Sequence, residues 1–435
     1  MLLLLWDMPF FDEKIEKMPR NKLNELKLKR LKKIVSYAYE NVAFYRKKFK
    51  DAGIEPDSIK KLEDIEKLPF TTKDELRQNM PFGMLALPLE NCIELHASSG
   101  TTGTPITVCY TKHDIEIWAN VMARCLSMAG LTKKDIFQIP IPYGTFTGAF
   151  GFHYGGQLVG AMIVPSGKTD SQRQIQLMQY YRTTFMAGIA SYAIHLGQVA
   201  MKIGIEPSNL NVRNGIFGAE TFTMEMKKRL AKMWDMDVHD IYGLTEMCGP
   251  GVSADCDAHD GLHLWEDHFL PEIIDPKTGD TIGKEEEGEL VLTTLTKEGM
   301  PIIRYRTRDI TFLYDGECEC GRTHVRHAPI KGRSDDMIIV KGTNLFPGQI
   351  EDVIMKNEHV SENWLMIIER NDMYEITVKV EAKKKVSNEE AKKIAMDLQQ
   401  KLRIATTLRM NVEVLQPDSL PKHEGKAKRV IDKRK

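Results

Sequence analysis

The sequence predicts an α/β protein with a large N-terminal unit and a small α+β unit at its C-terminal end. Three observations lead there. The chain has 435 residues, more than the roughly 250–300 at which single hydrophobic cores stop growing. From about residue 90 to 330, short apolar or β-branched runs alternate with helical segments, the pattern of a mainly parallel sheet covered by helices. The last hundred residues then switch to strand-like alternation followed by one long helical stretch.

Taken in order, MLLLLWDMPF is apolar but lacks a basic stretch before the leucines, and Asp7 interrupts it, so it does not read as a secretion signal. Residues 12–52 carry apolar positions at helical spacing among many lysines and arginines. One or two amphipathic surface helices are expected there, with the basic run as a solvated face. MIVP at 162–165 before a helix near 171–182, and NGIFGAE at 214–220 before TMEMKKRLAKMW, exemplify the strand–helix alternation. In the C-terminal part WLMIIER and YEITVKVEA read as paired strands, EEAKKIAMDLQQKLRIA as a helix and NVEVLQ as a third strand. KGRSDDMIIVKG lies between the two regions, so the domains are drawn as 1–332 and 333–435.

Composition narrows the class. Hydrophobic residues at 42% and charged residues at 28% suit a globular protein, and a formal net charge of −1 argues against a general nucleic-acid or membrane-surface binder. No run of about 20 apolar residues occurs, and the expected location is cytoplasmic. Seven cysteines do not form a disulfide framework in such a chain. Cys92, Cys109 and Cys125 sit among apolar neighbours and read as packed thiols.

The sharpest motif is SSGTTGTPI at 98–106, a loop rich in hydroxyl and backbone donors of the kind that wraps a polyphosphate. Gly167, Lys168 and Thr169 imitate the end of a P-loop, but Met162 stands where its first glycine belongs, so they form an ordinary helix-leading loop. Further along come GAE at 218–220, YGLTE at 242–246, YRTRD at 305–309, GRSDD at 332–336 and EGK at 424–426.

In this order the motifs resemble the adenylate-forming superfamily of acyl-CoA synthetases. The flanking words YGTFTGAFGFHYGG, RYRTRD, GRSDDMIIVKGTNLFP and LPKHEGKAKRV narrow the resemblance to the phenylacetate–coenzyme A ligase family. The resemblance implies the adenylate-forming fold, with a mobile C-terminal domain, and ATP-dependent activation of a carboxylic acid for transfer to coenzyme A. It also implies roles. Ser98, Ser99, Gly100, Thr101, Thr102 and Gly103 would hold the β- and γ-phosphates. Gly218, Ala219, Glu220, Asp240, Ile241, Tyr242 and Gly243 would line the nucleotide pocket, with Tyr242 against the adenine. Thr245 would contact the α-phosphate, Glu246 would bind Mg²⁺, Asp309 would accept the ribose hydroxyls and Arg333 would reach the nucleotide. Asp335 would be the hinge, Lys341 and Gly342 would face the pantetheine tunnel, and Lys426 would be the catalytic lysine. Two departures from the superfamily pattern, Ile106 after Pro105 and Arg308 before Asp309, fit the phenylacetate-type branch.

Simple chemistry agrees with these roles. The substrate carboxylate and the α-phosphate repel, and Mg²⁺ with a lysine ammonium neutralises charge as pyrophosphate leaves. A carboxylate suits vicinal ribose hydroxyls because it accepts from both. For the acid, Tyr143 and Phe146 could flank a flat ring while the glycines of 143–156 leave room for it. The resemblance implies that this segment, Gly148 included, lines the acyl site together with Ala219 and Gly243, which favours an aryl or arylacetic acid with phenylacetate as the default.

Cys318 and Cys320, with Cys256 and His263 upstream, match the donor set of a structural Zn²⁺ site, His259 or Cys248 being substitutes. Two other readings stand beside the ligase: an adenylate-forming enzyme serving a carrier protein or a deazaflavin, and a nonenzymatic zinc-containing binding module. A homodimer is left open.

Overall fold

A computed structural model of the protein describes residues 10–98, 105–335, 338–340, 343–370, 374–420 and 429–433. The chain opens with α1 (Glu13–Glu16), α2 (Arg20–Asn41) and α3 (Ala43–Asp51). Leu23, Leu31, Ile34, Val35 and Ala38 form the buried stripe of α2. Its basic run is more than a solvated face, which corrects the sequence expectation. Lys27 is buried and bonds Glu266 at 2.5 Å, Arg20 pairs with the same carboxylate, and Arg30 lies 3.5 Å from Asp267. Glu266 and Asp267 are themselves buried, and a buried carboxylate needs a cation partner. The run therefore clamps the N-terminal helix onto the body of the protein.

After α4 (Lys73–Gln78), started by a reciprocal Thr72–Glu75 cap, the hairpin of β1 (Cys92–Ala97) and β2 (Thr107–Thr111) brackets the 98–106 loop. α5 (Lys112–Met128) leads into the expected alternation: β3 (Ile136–Gln138), α6 (Gly148–Val159), β4 (Met162–Val164), α7 (Ser171–Tyr181), β5 (Phe185–Gly188), α8 (Ala190–Lys202), β6 (Asn214–Gly218), α9 (Met224–Trp234) and β7 (Asp237–Leu244). These five strands are parallel. β8 (Gly249–Asp255) and β9 (Leu262–Leu264) extend the sheet antiparallel. β10 (Phe269–Ile274), β11 (Gly288–Thr294) and β12 (Tyr305–Thr311) form a second sheet, β13 (Arg326–His327) returns beside β9, and β14 (Gly332–Arg333) pairs with β12. The large sheet thus runs β13-β9-β8-β7-β6-β5-β3-β4.

β15 (Ile338–Val340) and β16 (Thr343–Leu345) form a hairpin, followed by α10 (Pro347–Met355), β17 (Val360–Arg370), β18 (Tyr374–Ala382), α11 (Asn388–Thr406), β19 (Asn411–Leu415) and β20 (Val430–Asp432). The strands and helix read from the sequence are present, and β20 adds a fourth strand in the order β19-β18-β17-β20. Leu345, Ile350, Trp364, Met366, Val378 and Leu398 belong to a core separate from that of the preceding strands. Across the seam, Glu362 of β17 accepts from Gln198 at 2.9 Å and from Arg229 at 3.0 Å.

Candidate active site

Topology marks a crevice before any side chain is considered. The chain steps from β3 outward to β4, then returns to place β5 on the other side of β3, so the winding reverses between β3 and β5. In open parallel sheets, ligands bind beyond the carboxyl ends of the strands at such a reversal. The loop after β3 carries Tyr143 and Phe146, β6 ends in Gly218, and β7 leads into Thr245 and Glu246.

The aromatic loop is held from two sides. The Thr145 carbonyl accepts from Ala97 N at 2.7 Å and lies 3.1 Å from His96 Nδ1, which ties the loop to β1. Tyr143 meets His153 Nδ1 through its hydroxyl at 3.1 Å and sets its ring edge against Phe150, while Phe146 is 38% exposed. The glycines of this segment are also packed against the protein's own side chains. A Cβ on Gly148 would lie 2.9 Å from the Phe146 ring, and one on Gly151 2.8 Å from Trp118. They make room for the protein's own rings.

At the end of β6, a Cβ on Gly218 would meet the Ile241 carbonyl at 2.2 Å, so only glycine fits. Ala219 follows with φ +69°, a strained value for a residue with a side chain. Glu220 accepts from Ser191 N at 2.7 Å and Ser191 Oγ at 3.0 Å, capping the first turn of α8. Gly243 is equally constrained, since a Cβ there would lie 2.0 Å from the Gly249 carbonyl. Asp240 N donates to Asp255 Oδ1 at 2.8 Å, and burial followed by the Asp255 charge pushes the Asp240 carboxyl up to about 8. Ile241 is buried.

Tyr242 donates its hydroxyl to Asp309 Oδ2 at 2.6 Å and sets its ring edge against His327. Burial raises the Asp309 carboxyl to about 6, opposed by Arg333 and by that hydroxyl. Arg333 lies 3.7 Å from Asp309 and grips Asp335 with two bonds of 2.8 and 2.9 Å. One guanidinium therefore links the expected ribose acceptor to the expected hinge. Arg308 takes φ +70°, the left-handed backbone that glycine adopts without cost at this position. Its backbone N–H donates to Glu289 at 3.3 Å and its guanidinium lies 3.5 Å from the same carboxylate.

Thr245 and Glu246 occupy the turn after β7, both nearly buried. Glu246 Oε1 accepts from the Tyr305 hydroxyl at 2.9 Å and stands 3.8 Å from Lys73 Nζ. Tyr305 was visible within RYRTRD, but nothing in the sequence drew attention to Lys73. Ser98 closes the neck of its loop, with Ser98 N bonded to Ile106 O and Ile106 N bonded to Ser98 Oγ, both at 2.9 Å. Ser99, Gly100, Thr101, Thr102, Gly103, Lys341, Gly342 and Lys426 lie outside the described residues.

A second centre is built from sulfur and imidazole. Ligand atoms of Cys256, His263, Cys318 and Cys320 all lie within 4.8 Å of one another, and the four residues are buried. Cys256 Sγ is 3.6 Å from Cys318 Sγ, and Cys320 Sγ is 3.2 Å from His263 Nε2. His263 Nδ1 lies 3.3 Å from the His324 carbonyl, which orients the ring so that Nε2 faces the thiols. The substitutes do not join. His259 sits between Asp255 and Asp237 at 3.2 and 3.1 Å, and Cys248 lies by Pro250.

Comparison with known proteins agrees with this architecture. The AMP-binding enzyme family profile matches residues 25–295, and the profile of the AMP-binding enzyme C-terminal domain matches 342–434. The chain is 43% identical to the phenylacetate–coenzyme A ligase of Aromatoleum evansii over 429 residues, 97% of each chain. A crystal structure of 2-hydroxyisobutyryl-CoA ligase in the postadenylation state with its acyl-AMP superposes with a TM-score of 0.93 at 27% identity, covering 100% of this chain and 94% of that one. The same enzyme in the thioesterification state, at the same identity and coverage, superposes at only 0.74. The arrangement of the two units here is therefore closer to that of the postadenylation structure than to that of the thioesterification one. Profiles across both units and near-full-length identity make this chain a member of the phenylacetate–coenzyme A ligase family of AMP-binding, adenylate-forming enzymes.

Proposed function

We propose that this chain ligates an aryl or arylacetic acid, with phenylacetate foremost, to coenzyme A through an acyl-adenylate, consuming ATP and releasing AMP and pyrophosphate. The observation that carries this reading is the placement of the Tyr143 loop and of Thr245 and Glu246 after the carboxyl ends of β3 and β7, with Asp309 bonded to Tyr242 of β7, in a chain of this family.

In the reading, the ribose hydroxyls of ATP displace the Tyr242 hydroxyl as donors to Asp309, freeing the Tyr242 ring to pack on the adenine. The residues 98–103 enclose the outer phosphates. The acid carboxylate attacks the α-phosphorus, the bond to pyrophosphate breaks, and Thr245 steadies the α-phosphate. Glu246 would hold Mg²⁺, which when bound supplies positive charge to the phosphates. Lys73 stands beside Glu246 as a second cation. Lys426 completes the charge neutralisation. The small domain, taken to begin at residue 333, then turns about Asp335 and brings Lys341 and Gly342 toward the coenzyme A thiol. The thiolate attacks the acyl carbonyl and AMP leaves.

The sulfur–imidazole cluster is read as a structural Zn²⁺ site. Tetrahedral zinc with bonds of about 2.3 Å to sulfur and 2.0–2.1 Å to nitrogen separates its ligands by roughly 3.6–3.8 Å, close to the 3.6 and 3.2 Å observed. None of its ligands is bonded to Glu246 or Asp309 among the described residues, and the site is read as serving the fold. No helix of the described residues is long and apolar enough to cross a membrane, and a cytoplasmic location belongs to the same reading.

The test is pyrophosphate release from ATP and Mg²⁺ across aryl, arylacetic and fatty acids, with and without coenzyme A. Release with one aryl class, accelerated by coenzyme A and yielding AMP, is the expected result. Turnover indifferent to coenzyme A would point to a carrier protein or deazaflavin acceptor instead.

A further inference from the structure

Lys297 is a buried cation with an unusual set of neighbours. Only 6% of the residue is exposed, yet among the described residues it makes no ion pair. Its ammonium donates instead to two successive backbone carbonyls, Glu246 O at 3.0 Å and Met247 O at 2.7 Å. Fully buried lysines are rare unless paired, so this placement costs stability that a neutral side chain would not. The nearest carboxylate of the adjoining helix, Asp114, is committed elsewhere. It accepts from Thr111 N at 2.9 Å, Glu298 N at 2.7 Å and Gly299 N at 2.9 Å, which fixes the loop carrying Lys297. Tyr110 of β2 lies beneath the ammonium, 4.9 Å from its ring centre, and its hydroxyl reaches the Thr245 carbonyl at 3.4 Å. Three consecutive carbonyls, those of Thr245, Glu246 and Met247, are thus drawn to the inner side of the turn. On the outer side the Glu246 carboxylate meets Tyr305 and Lys73.

We propose that Lys297 is a positioning residue for adenylation, its ammonium holding the Glu246–Met247 backbone so that the Glu246 carboxylate and Thr245 are aimed at the reacting phosphate. This rests on the roles given to Thr245 and Glu246 above. A neutral side chain of similar length would fill the same space but could not draw the carbonyls inward. Burial lowers the Lys297 ammonium to about 8, against the opposing charges of Asp114, Cys248, Glu246 and Cys109.

The experiment uses the full chain and separates the half-reactions. In Lys297→Met, pyrophosphate release should fall about thirtyfold to a hundredfold, the scale of losing one preorganised electrostatic contact. The Mg²⁺ concentration for half-maximal rate should rise several-fold, the KM for the acid should stay within about twofold, and thioester formation from supplied acyl-adenylate should be unchanged. Lys297→Arg, which keeps the charge, should recover part of the adenylation rate. Equal loss of both half-reactions, or full adenylation at the parental Mg²⁺ requirement, would overturn the proposal. If Lys297→Met does not fold, Lys297→Gln, compared with Lys297→Arg in the same two half-reactions and Mg²⁺ titration, decides it. Glu246→Gln, run in parallel, separates the two levels: if it adenylates normally the reading of the site fails, and if it is dead while Lys297→Met is fully active only this proposal fails.

Discussion

The sulfur–imidazole cluster and the nucleotide site are built from neighbouring strands but spend their polar groups differently. Cys256, His263, Cys318 and Cys320 turn soft donors inward on one point, all four buried. Glu246 and Asp309 are also nearly buried, yet their oxygens rest on Tyr305, Tyr242 and Arg333. Each of these is an O–H or N–H donor that a ligand can replace. A set of thiols converging on one point suits an ion that stays. Carboxylates resting on exchangeable donors suit ligands that come and go.

The contrast can be broken by experiment, most strongly at Glu246. Glu246→Gln should lower adenylation by about a hundredfold to a thousandfold, the range for removing a preorganised charge from a reacting phosphate. Zinc measured by elemental analysis should be unaffected. Cys320→Ser should do the reverse, abolishing stoichiometric metal. Its Tm should fall by roughly 5 °C or more, since each kcal/mol moves Tm about 2–4 °C in domains of 150–250 residues. A Cys320→Ser protein with parental Tm would leave the cluster without a structural role.

At Asp309 the expected effect is smaller. Asp309→Asn should raise the KM for ATP roughly tenfold, the scale of a charged hydrogen bond. Burial holds the folded carboxyl near 6, above its unfolded value. Ionising it therefore costs the free protein stability as pH rises from about 4 through 6. Ribose hydroxyls favour the ionised form, so ATP affinity should weaken as pH falls through about 6, and that limb should be absent in Asp309→Asn. Smallest of all is the seam. Glu362→Gln weakens a half-buried contact to Arg229 worth about 1 kcal/mol. It should shift the ratio of adenylation to thioesterification by about fivefold at most, read from the two half-reactions measured separately.

Much of this was legible from residue order alone. The strand–helix alternation, the C-terminal α+β unit and the four members of the sulfur–imidazole cluster could be read because each depends on local pattern or on residue chemistry. The partners that complete the sites could not. Lys27 meets Glu266 across 239 residues of sequence and Tyr305 meets Glu246 across 59, and no local periodicity encodes such pairs. Arg308 shows a subtler limit. Its departure from glycine is plain in the sequence, but only the structure reveals that the backbone keeps the glycine-like φ of +70° at a cost of roughly 1 kcal/mol. Glu220 was expected to line the nucleotide pocket; its carboxylate caps α8, a tertiary contact that propensity does not foresee.

The reversal of winding between β3 and β5 has a consequence for how such enzymes diverge. It places the aromatic loop where no ladder hydrogen bond of the large sheet depends on it, with its course set by a carbonyl anchored to β1. Under the proposed reading, substitutions at Tyr143 or Phe146 would alter which acid is accepted without disturbing the turn after β7 that carries Thr245 and Glu246.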